Sequence, residues 1–223
     1  MMFARERIRR LHKTVVVRIT PCLRTIGNFV IGSDAQTQLV LDSGVFDEFP
    51  ALLTHSKASI RKEACWTISN IAAGPVKHVR FVLDPSIIIP LLRCCEEMGS
   101  PSYVKKEALW AIANAANASE EAGDIFMQYS ILETLDRALQ DVANIDALRV
   151  ALMALRHILR SIPKINGRWL IVEQIQSISK KEGNDDDEHD SFEAQLVHHL
   201  ELLQTHVHHE VQTAASGILS TYF

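Results

Sequence analysis

The sequence predicts an all-α protein in which similar helical units repeat and stack into a solenoid. The chain has 223 residues, of which 47% are hydrophobic but only 6% aromatic, and its Gly and Pro residues lie mainly between the apolar segments. The second observation is a repeat, because residues 63–74, EACWTISNIAAG, return as residues 107–117, EALWAIANAAN. Units of this size cannot bury their apolar faces alone, so neighbouring units must stack.

The repeated segment places a carboxylate, an indole and a carboxamide on one helical face. Glu63, Trp66 and Asn70 stand at i, i+3 and i+7, which in a helix of about 100° per residue puts them within about 60° of one another. The opposite face is small and apolar in both copies, with Ala64, Ile68, Ile71, Ala108, Ile112 and Ala115. The apolar face is therefore expected to pack, and the other face to remain open.

Two tryptophans in the same register indicate an open groove rather than a core. A single Trp is more often a core residue, but Trp66 and Trp110 both point away from the apolar stripe of their helix and both precede an Asn by four residues. We therefore expect Trp66, Asn70, Trp110 and Asn114 to line one continuous groove.

The spacing of these residues gives the length of the repeat. Trp66 and Trp110 are 44 residues apart, and Asn28, Asn70 and Asn114 follow one another at intervals of 42 and 44 residues. A period of about 40 to 47 residues is that of armadillo and HEAT arrays.

Several segments resemble one family closely. The segments PCLRTIGNFVIGSDAQTQ (21–38), KEACWTISNIAAG (62–74) and KKEALWAIAN (105–114) resemble importin-alpha, the armadillo adaptor for nuclear import signals, and 202–223 resembles its last repeat. The resemblance implies an armadillo-repeat, right-handed superhelical solenoid of about four to five repeats.

The resemblance also implies which residues bind peptide. In the family an Arg replaces the inner-face Trp just before the repeats of the minor signal-binding site, and Arg24 stands at that position. The expected peptide-binding residues are Arg24, Asn28, Asp34, Thr37, Trp66, Asn70, Glu107, Trp110 and Asn114. Glu63 is expected to support them, and the groove to weaken beyond Asn114, where Met153 and His157 take the Trp and Asn positions.

The chemistry of these side chains suits a basic peptide. An Asn side chain offers two donors and an acceptor to an extended backbone. An indole face attracts a Lys or Arg side chain by roughly 0.5 to 2 kcal/mol, and nearby carboxylates select for positive charge.

The sequence divides into five segments. We expect a basic disordered head at 1–12, armadillo repeats at 13–161, a less regular helical segment at 162–181, an acidic loop at 182–191 and a closing helical hairpin at 192–223. A mitochondrial transit peptide is the alternative for the Arg-rich head. Within 13–161 the predicted helices are 34–43, 45–55, 58–73, 76–84, 86–98, 103–118, 119–129, 131–142 and 146–161.

Composition and motifs argue against other function classes. There is no nucleophile motif, Gly-rich phosphate loop or paired-carboxylate site, so we expect neither an enzyme nor a cofactor. The formal net charge of −4 does not indicate a nucleic-acid surface, and no apolar run is long enough for a membrane span. The His-rich sequence of the last 32 residues lacks metal-ligand spacing.

The four cysteines (Cys22, Cys65, Cys94 and Cys95) are expected to be buried free thiols.

The expected function is that of an adaptor that binds basic nuclear localisation signal peptides and shuttles between cytoplasm and nucleus. The resemblance implies an export receptor as a partner of the last repeat. Direct importin-beta binding is not expected, because the family's basic importin-beta-binding segment and upstream repeats do not occur in these 223 residues. Whether the chain is a naturally half-length adaptor or the C-terminal portion of a longer one stays open. We expect it either to self-associate at its N-terminal end or to be less stable than a capped array. The alternative is an armadillo or HEAT scaffold that binds another protein through a different surface.

Overall fold

A computed structural model of the chain describes residues 18–96, 101–161, 164–165, 168–169 and 192–223. Nearly all of these residues are helical. The helices are α1 (18–30), α2 (Asp34–Asp42), the 3₁₀ helix η1 (Val45–Glu48), α3 (Phe49–Leu53), α4 (Ala58–Ala72), α5 (Val76–Val82), α6 (Pro85–Glu96), α7 (Ser102–Ala118), α8 (Glu120–Met127), α9 (Ile131–Leu139), α10 (Ile145–Ser161), α11 (Phe192–Leu203) and α12 (His209–Tyr222).

The helices stack as successive units of one solenoid. The third helices of the units pack side by side in the order α4, α7, α10 and α12. The second helices form another row, in the order α3, α6, α9 and α11. The short first helices α5 and α8 pack against the third helices on either side of them. The core consequently runs through the array and has no single centre.

The apolar face of each repeated segment is the face that packs, as the sequence predicts. Ala64, Ile68 and Ile71 of α4 are fully buried, and so are Ala108, Ile112 and Ala115 of α7. Burying a side chain of Ile size contributes about 1.5 to 3 kcal/mol relative to leaving it exposed. The contacts between third helices therefore carry much of the stability.

Capping residues and a turn glycine mark where several of the helices begin. Ser33 caps α2 through a capping box with Gln36, in which the Ser33 amide donates to Gln36 Oε1 at 2.7 Å. Ser119 caps α8 by accepting from the Ala122 amide at 3.2 Å. Gly44, with a φ of 76°, provides the left-handed turn between α2 and η1.

Two predicted helices differ in the structure. The segment 45–55 is η1 followed by the short α3, because Pro50 has no amide hydrogen and fits best in the first turn of a helix. The helix predicted from residue 162 is wrong at its start, where Lys164–Ile165 pairs antiparallel with Arg168–Trp169. The sequence between these strands is Asn-Gly, the dipeptide most favourable to a two-residue hairpin turn. The predicted head at 1–12 and acidic loop at 182–191 lie outside the described residues.

Three of the four cysteines are buried thiols, and the prediction is wrong for Cys22, which is exposed on α1. The hydrogen bond with Cys94 and burial raise the pKa of the Cys65 thiol well above its usual range. Burial does the same for Cys95. Both thiols are therefore protonated at neutral pH.

Contacts between polar side chains join the closing hairpin to the preceding unit. Asp136 of α9 is buried and accepts hydrogen bonds from His199 Nδ1 at 2.6 Å and Gln140 Nε2 at 3.1 Å. On the other side, Arg149 Nη2 lies 2.7 Å from Glu210 Oε2 of α12, and both side chains are exposed. The Asp136 contact contributes more, because its carboxylate is removed from water.

Replacing Asp136 by Ala is expected to loosen the closing hairpin by about 1 to 3 kcal/mol, because His199 and Gln140 lose a buried acceptor. Hydrogen exchange should be faster in α11 and α12 than in the wild type, while α4 and α7 keep their protection.

Asp146→Ala is the matched control. Asp146 pairs with Lys106 at 3.5 Å but is 68% exposed, so its removal should cost less than about 1 kcal/mol. Equal exchange in α11 and α12 for the two variants would contradict the role given to Asp136.

Candidate functional site

The first candidate contact joins α1 to α4. Arg24 Nε donates to Glu63 Oε2 at 3.3 Å, and Arg24 Nη2 bonds Glu63 Oε1. Burial opposes ionisation of Glu63, but the bonds from Arg24 and the charge of Lys62 outweigh it and hold the Glu63 pKa below its usual range. The Glu63 side chain is only 3% exposed. It holds Arg24 in place rather than facing an incoming ligand.

The Trp66 indole rests on a glycine of the preceding helix. A Cβ atom on Gly27 would overlap Trp66 Cζ3 and would lie 2.7 Å from Cε3 and 2.9 Å from Thr67 Oγ1. Only glycine therefore lets the indole approach α1 this closely. Trp66 is half-buried in this position.

The Asn position of the repeat joins consecutive units. Asn114 Nδ2 donates to the Ser69 carbonyl of the preceding unit at 2.9 Å. His157, 43 residues later, bonds the Ala113 carbonyl through Nδ1 at 2.9 Å. A carbonyl only accepts, so His157 Nδ1 carries the proton. Burial lowers the His157 pKa, so its imidazole is neutral at pH 7.

Asn114 consequently has less to offer a peptide than predicted. One Nδ2 hydrogen is engaged with Ser69, which leaves the second hydrogen and Oδ1. Asn70 differs, because its Nδ2 is buried and has no hydrogen-bond partner among the described residues.

Glu107 is a half-buried carboxylate at the centre of the site. Burial raises its pKa; the charges of Lys62 and Lys106 lower it, and the neighbouring Glu63 raises it. Among the described residues it makes no hydrogen bond and no ion pair. Its environment disfavours the charged form, and a cation placed beside it would reverse that preference.

A cavity of about 340 Å³ opens beside Trp110, between α7 and α10. Trp110 is 37% exposed. The other lining residues are Lys106, Asp146, Arg149, Val150 and Met153. Met153 thus occupies the next Trp position of the repeat and contributes an apolar wall. We call the surface formed by Trp66, Asn70, Glu107, Trp110 and Asn114 the candidate groove.

The remaining predicted residues lie on α1 and α2. Asn28 and Asp34 are exposed, and within the described residues neither bonds another candidate residue. Thr37 is 4% exposed, and its hydroxyl donates to the Val30 carbonyl at 3.1 Å. Thr37 therefore joins α2 to α1, and a direct contact with peptide is not supported for it.

The described residues show neither a membrane span nor a metal site. None of their helices has the length and apolar character needed to cross a bilayer. No group of three or more His, Cys, Asp or Glu side chains among them is placed to hold a metal ion.

Comparisons with known proteins agree with this geometry. A model of the Armadillo/beta-catenin-like repeat matches residues 33–73. Importin subunit alpha-1a of Oryza sativa subsp. japonica is 49% identical over 83 residues, which are 37% of this chain and 16% of that protein. Importin subunit alpha-9 of Arabidopsis thaliana is 26% identical over 221 residues, 92% of this chain and 38% of that protein.

Solved structures show the same fold. An engineered protein superposes with a TM-score of 0.72 at 25% identity, over 91% of this chain and 72% of that one. A designed armadillo repeat protein, solved in complex with the peptide (KR)4, has a TM-score of 0.57 at 24% identity, over 90% and 91% of the two chains.

The chain is an armadillo-repeat protein that is similar to part of importin subunits alpha. The predicted solenoid fold is confirmed. The aligned part spans at most 38% of the length of the two plant relatives.

Sequence reasoning missed several residues that shape the groove of this importin-alpha-like chain. Gly27 seats the Trp66 indole, and its position directly before Asn28 in the first repeat was the available signal. Val150 forms the wall opposite Trp110 together with Met153, a residue that was expected to weaken the groove. Their spacing of three residues on α10 was the signal for a shared face.

Replacing Gly27 by Ala is expected to displace the Trp66 indole, because the added methyl overlaps it. Overpacking of this kind costs about 1 to 3 kcal/mol. Chemical denaturation measures the loss, and a change in tryptophan fluorescence of the folded state reports the displaced ring.

Gly217→Ala is the control, since a Cβ atom there meets nothing within 4 Å. It should stabilise α12 by about 0.5 to 1 kcal/mol. If Gly27→Ala is as stable as the wild type and its fluorescence is unchanged, the indole does not rest on Gly27.

Proposed function

We propose that this chain is a nuclear import adaptor that binds basic localisation peptides in the candidate groove and moves between cytoplasm and nucleus. Its similarity to importin subunits alpha supports the adaptor role at the level of the family. The observation that carries peptide binding is the half-buried carboxylate of Glu107, which makes no hydrogen bond or ion pair within the described residues. It lies one helical turn from the exposed indole of Trp110.

Glu107 and Trp110 together favour a ligand cation. The carboxylate has already lost part of its hydration, so a basic side chain meets less desolvation cost there than at an exposed carboxylate. The indole face adds roughly 0.5 to 2 kcal/mol of cation–π attraction. The cavity between Trp110 and Met153 has room for the aliphatic part of a Lys or Arg side chain.

Two arginines limit the length of basic peptide that fits. Arg24 lies at the α1 end with its side chain 59% exposed, and Arg149 lines the cavity at the α10 end. Both guanidinium groups repel basic side chains, although each has an acidic partner. The basic residues of the ligand are accordingly placed between them, over α4 and α7.

The carboxamides supply contacts to the peptide backbone. Asn70 has a donor without a partner, so turning toward the groove breaks no existing hydrogen bond. Asn114 retains one Nδ2 hydrogen and Oδ1. An extended peptide needs such groups, because its amides and carbonyls lose water when they bind.

A Lys/Arg-rich peptide is expected to bind with micromolar affinity that weakens with salt, because exposed charge pairs are screened over about 8 to 10 Å. Trp110→Ala should reduce the affinity five- to thirtyfold, corresponding to about 1 to 2 kcal/mol of lost apolar and cation–π contact. Titration calorimetry with thermal melts separates affinity from folding.

Ile112→Asp is the control on the packed face of the same helix. Ile112 is fully buried, so the charge should unfold the unit. If Trp110→Ala lowers the melting temperature as much as Ile112→Asp and leaves peptide affinity unchanged, Trp110 is a core residue and the proposal fails.

Peptide binding is also expected to release protons in mildly acidic solution. Burial raises the Glu107 pKa in the free chain, and a bound cation favours the carboxylate, so binding lowers that pKa again. Affinity should therefore fall as the pH falls through the raised pKa of Glu107. Calorimetry in buffers of different ionisation enthalpy counts the protons.

The Glu107→Gln variant should bind the Lys/Arg-rich peptide more weakly than the wild type at neutral pH, and its binding should release fewer protons. Asp146→Asn, an exposed carboxylate on the wall of the same cavity, is the matched substitution and should leave proton release nearly unchanged. Equal proton release in Glu107→Gln and the wild type would show that Glu107 does not face the bound cation.

A further inference from the structure

A second cavity, of about 580 Å³, lies at the edge of the solenoid, away from the candidate groove. It is formed where α3 ends, α4 begins, and α6 and α9 pass alongside. Its principal lining residues are Leu53, Arg61, Pro90, Arg93, Glu96 and Arg137. None of its lining residues belongs to the candidate groove.

The charge of this cavity is opposite in sign to that of the whole chain. Arg61, Arg93 and Arg137 line the cavity, and Glu96 is the one carboxylate among its described lining residues, whereas the formal net charge of the chain is −4. Three guanidinium groups against one carboxylate leave two positive charges. Folding has therefore concentrated cationic groups from three helices in one place.

Two of the three arginines already have partners within the chain. Arg61 is only 9% exposed, and its Nη1 donates to the His55 carbonyl at 2.9 Å. Arg137 Nη1 lies 3.0 Å from Glu96 Oε1, which also accepts from the Thr134 hydroxyl at 2.5 Å. Donors that are already positioned lose little conformational freedom when a ligand binds.

The third arginine is available. Arg93 of α6 is exposed and makes no hydrogen bond or ion pair within the described residues. We propose that this three-arginine cavity binds a phosphate monoester, with Arg93 and Arg137 as its principal donors and Arg61 contributing positive charge from beneath.

A phosphate monoester fits the cavity better than a single carboxylate. At neutral pH it carries a charge of about −1.5 to −2, which matches the two positive charges that Glu96 leaves uncompensated. Its three terminal oxygens accept the paired donors of planar guanidinium groups. The apolar side chains of Leu53 and Pro90 leave room for a group attached to the phosphate.

The same chemistry is offered by free phosphate and by a phosphorylated serine of another protein. The probes are therefore inorganic phosphate and a short peptide with one phosphoserine and neutral flanks, titrated at constant ionic strength. We expect both to bind the wild type and the unphosphorylated peptide not to bind. At least tenfold tighter binding of the phosphopeptide would identify a protein as the source, and equal affinity would identify the free anion.

The double variant Arg93→Gln/Arg137→Gln should have at least tenfold lower affinity for both probes than the wild type, because it lacks two charged hydrogen-bond donors. Arg93→Gln alone, which breaks no bond of the described residues, should fold as the wild type and weaken binding severalfold. The Arg80→Gln variant lacks an exposed arginine that lies outside the cavity, and it should bind both probes with wild-type affinity. The proposal is overturned if neither probe binds the wild type, or if Arg93→Gln and the double variant both keep wild-type affinity.

Discussion

The packing of α4, α7 and α10 on one another is the contact on which the rest of the molecule depends. Their small and branched apolar residues, such as Ala64, Ala108 and Ala151, are fully buried, so the helix backbones approach closely. Since successive residues turn by about 100°, the burial of this face sends Trp66 and Trp110 to the other side. The residues that hold the array together thereby also form its groove.

Neighbouring units give the same position of the repeat different electrostatic properties. Glu63 and Glu107 stand 44 residues apart at equivalent positions, and burial disfavours ionisation of both. Hydrogen bonds from Arg24 of α1 offset that cost for Glu63. The charges of Lys62 and Lys106 lower the Glu107 pKa less than burial raises it, so the Glu107 pKa stays raised. The properties of a repeat residue therefore depend on its upstream neighbour as much as on its own helix.

Much of this architecture could be predicted from the sequence, because periodicity determines which face of a helix is buried. The burial of Ile68 and Ile112 and the outward direction of Trp110 follow from spacing alone. The burial of Glu63 and Thr37 could not be predicted in this way, because it depends on contacts with other helices, through Arg24 and the Val30 carbonyl.

Other features of the structure depend on contacts between residues that lie far apart in the sequence. The three-arginine cavity joins residues that are 32 and 44 positions apart, Arg61 with Arg93 and Arg93 with Arg137, and no local pattern links them. The hairpin at Lys164–Ile165 was predictable from the Asn-Gly that follows it.

The joints between units have a consequence for how such arrays can be recombined. At the α4–α7 and α7–α10 joints a side-chain N–H, from Asn114 or His157, meets a main-chain carbonyl of the preceding unit, at Ser69 or Ala113. Every residue type carries that acceptor, so the joint places no demand on the identity of the upstream side chain. A unit therefore needs to bring only one correctly placed donor of its own, and units of different origin are interchangeable at this contact.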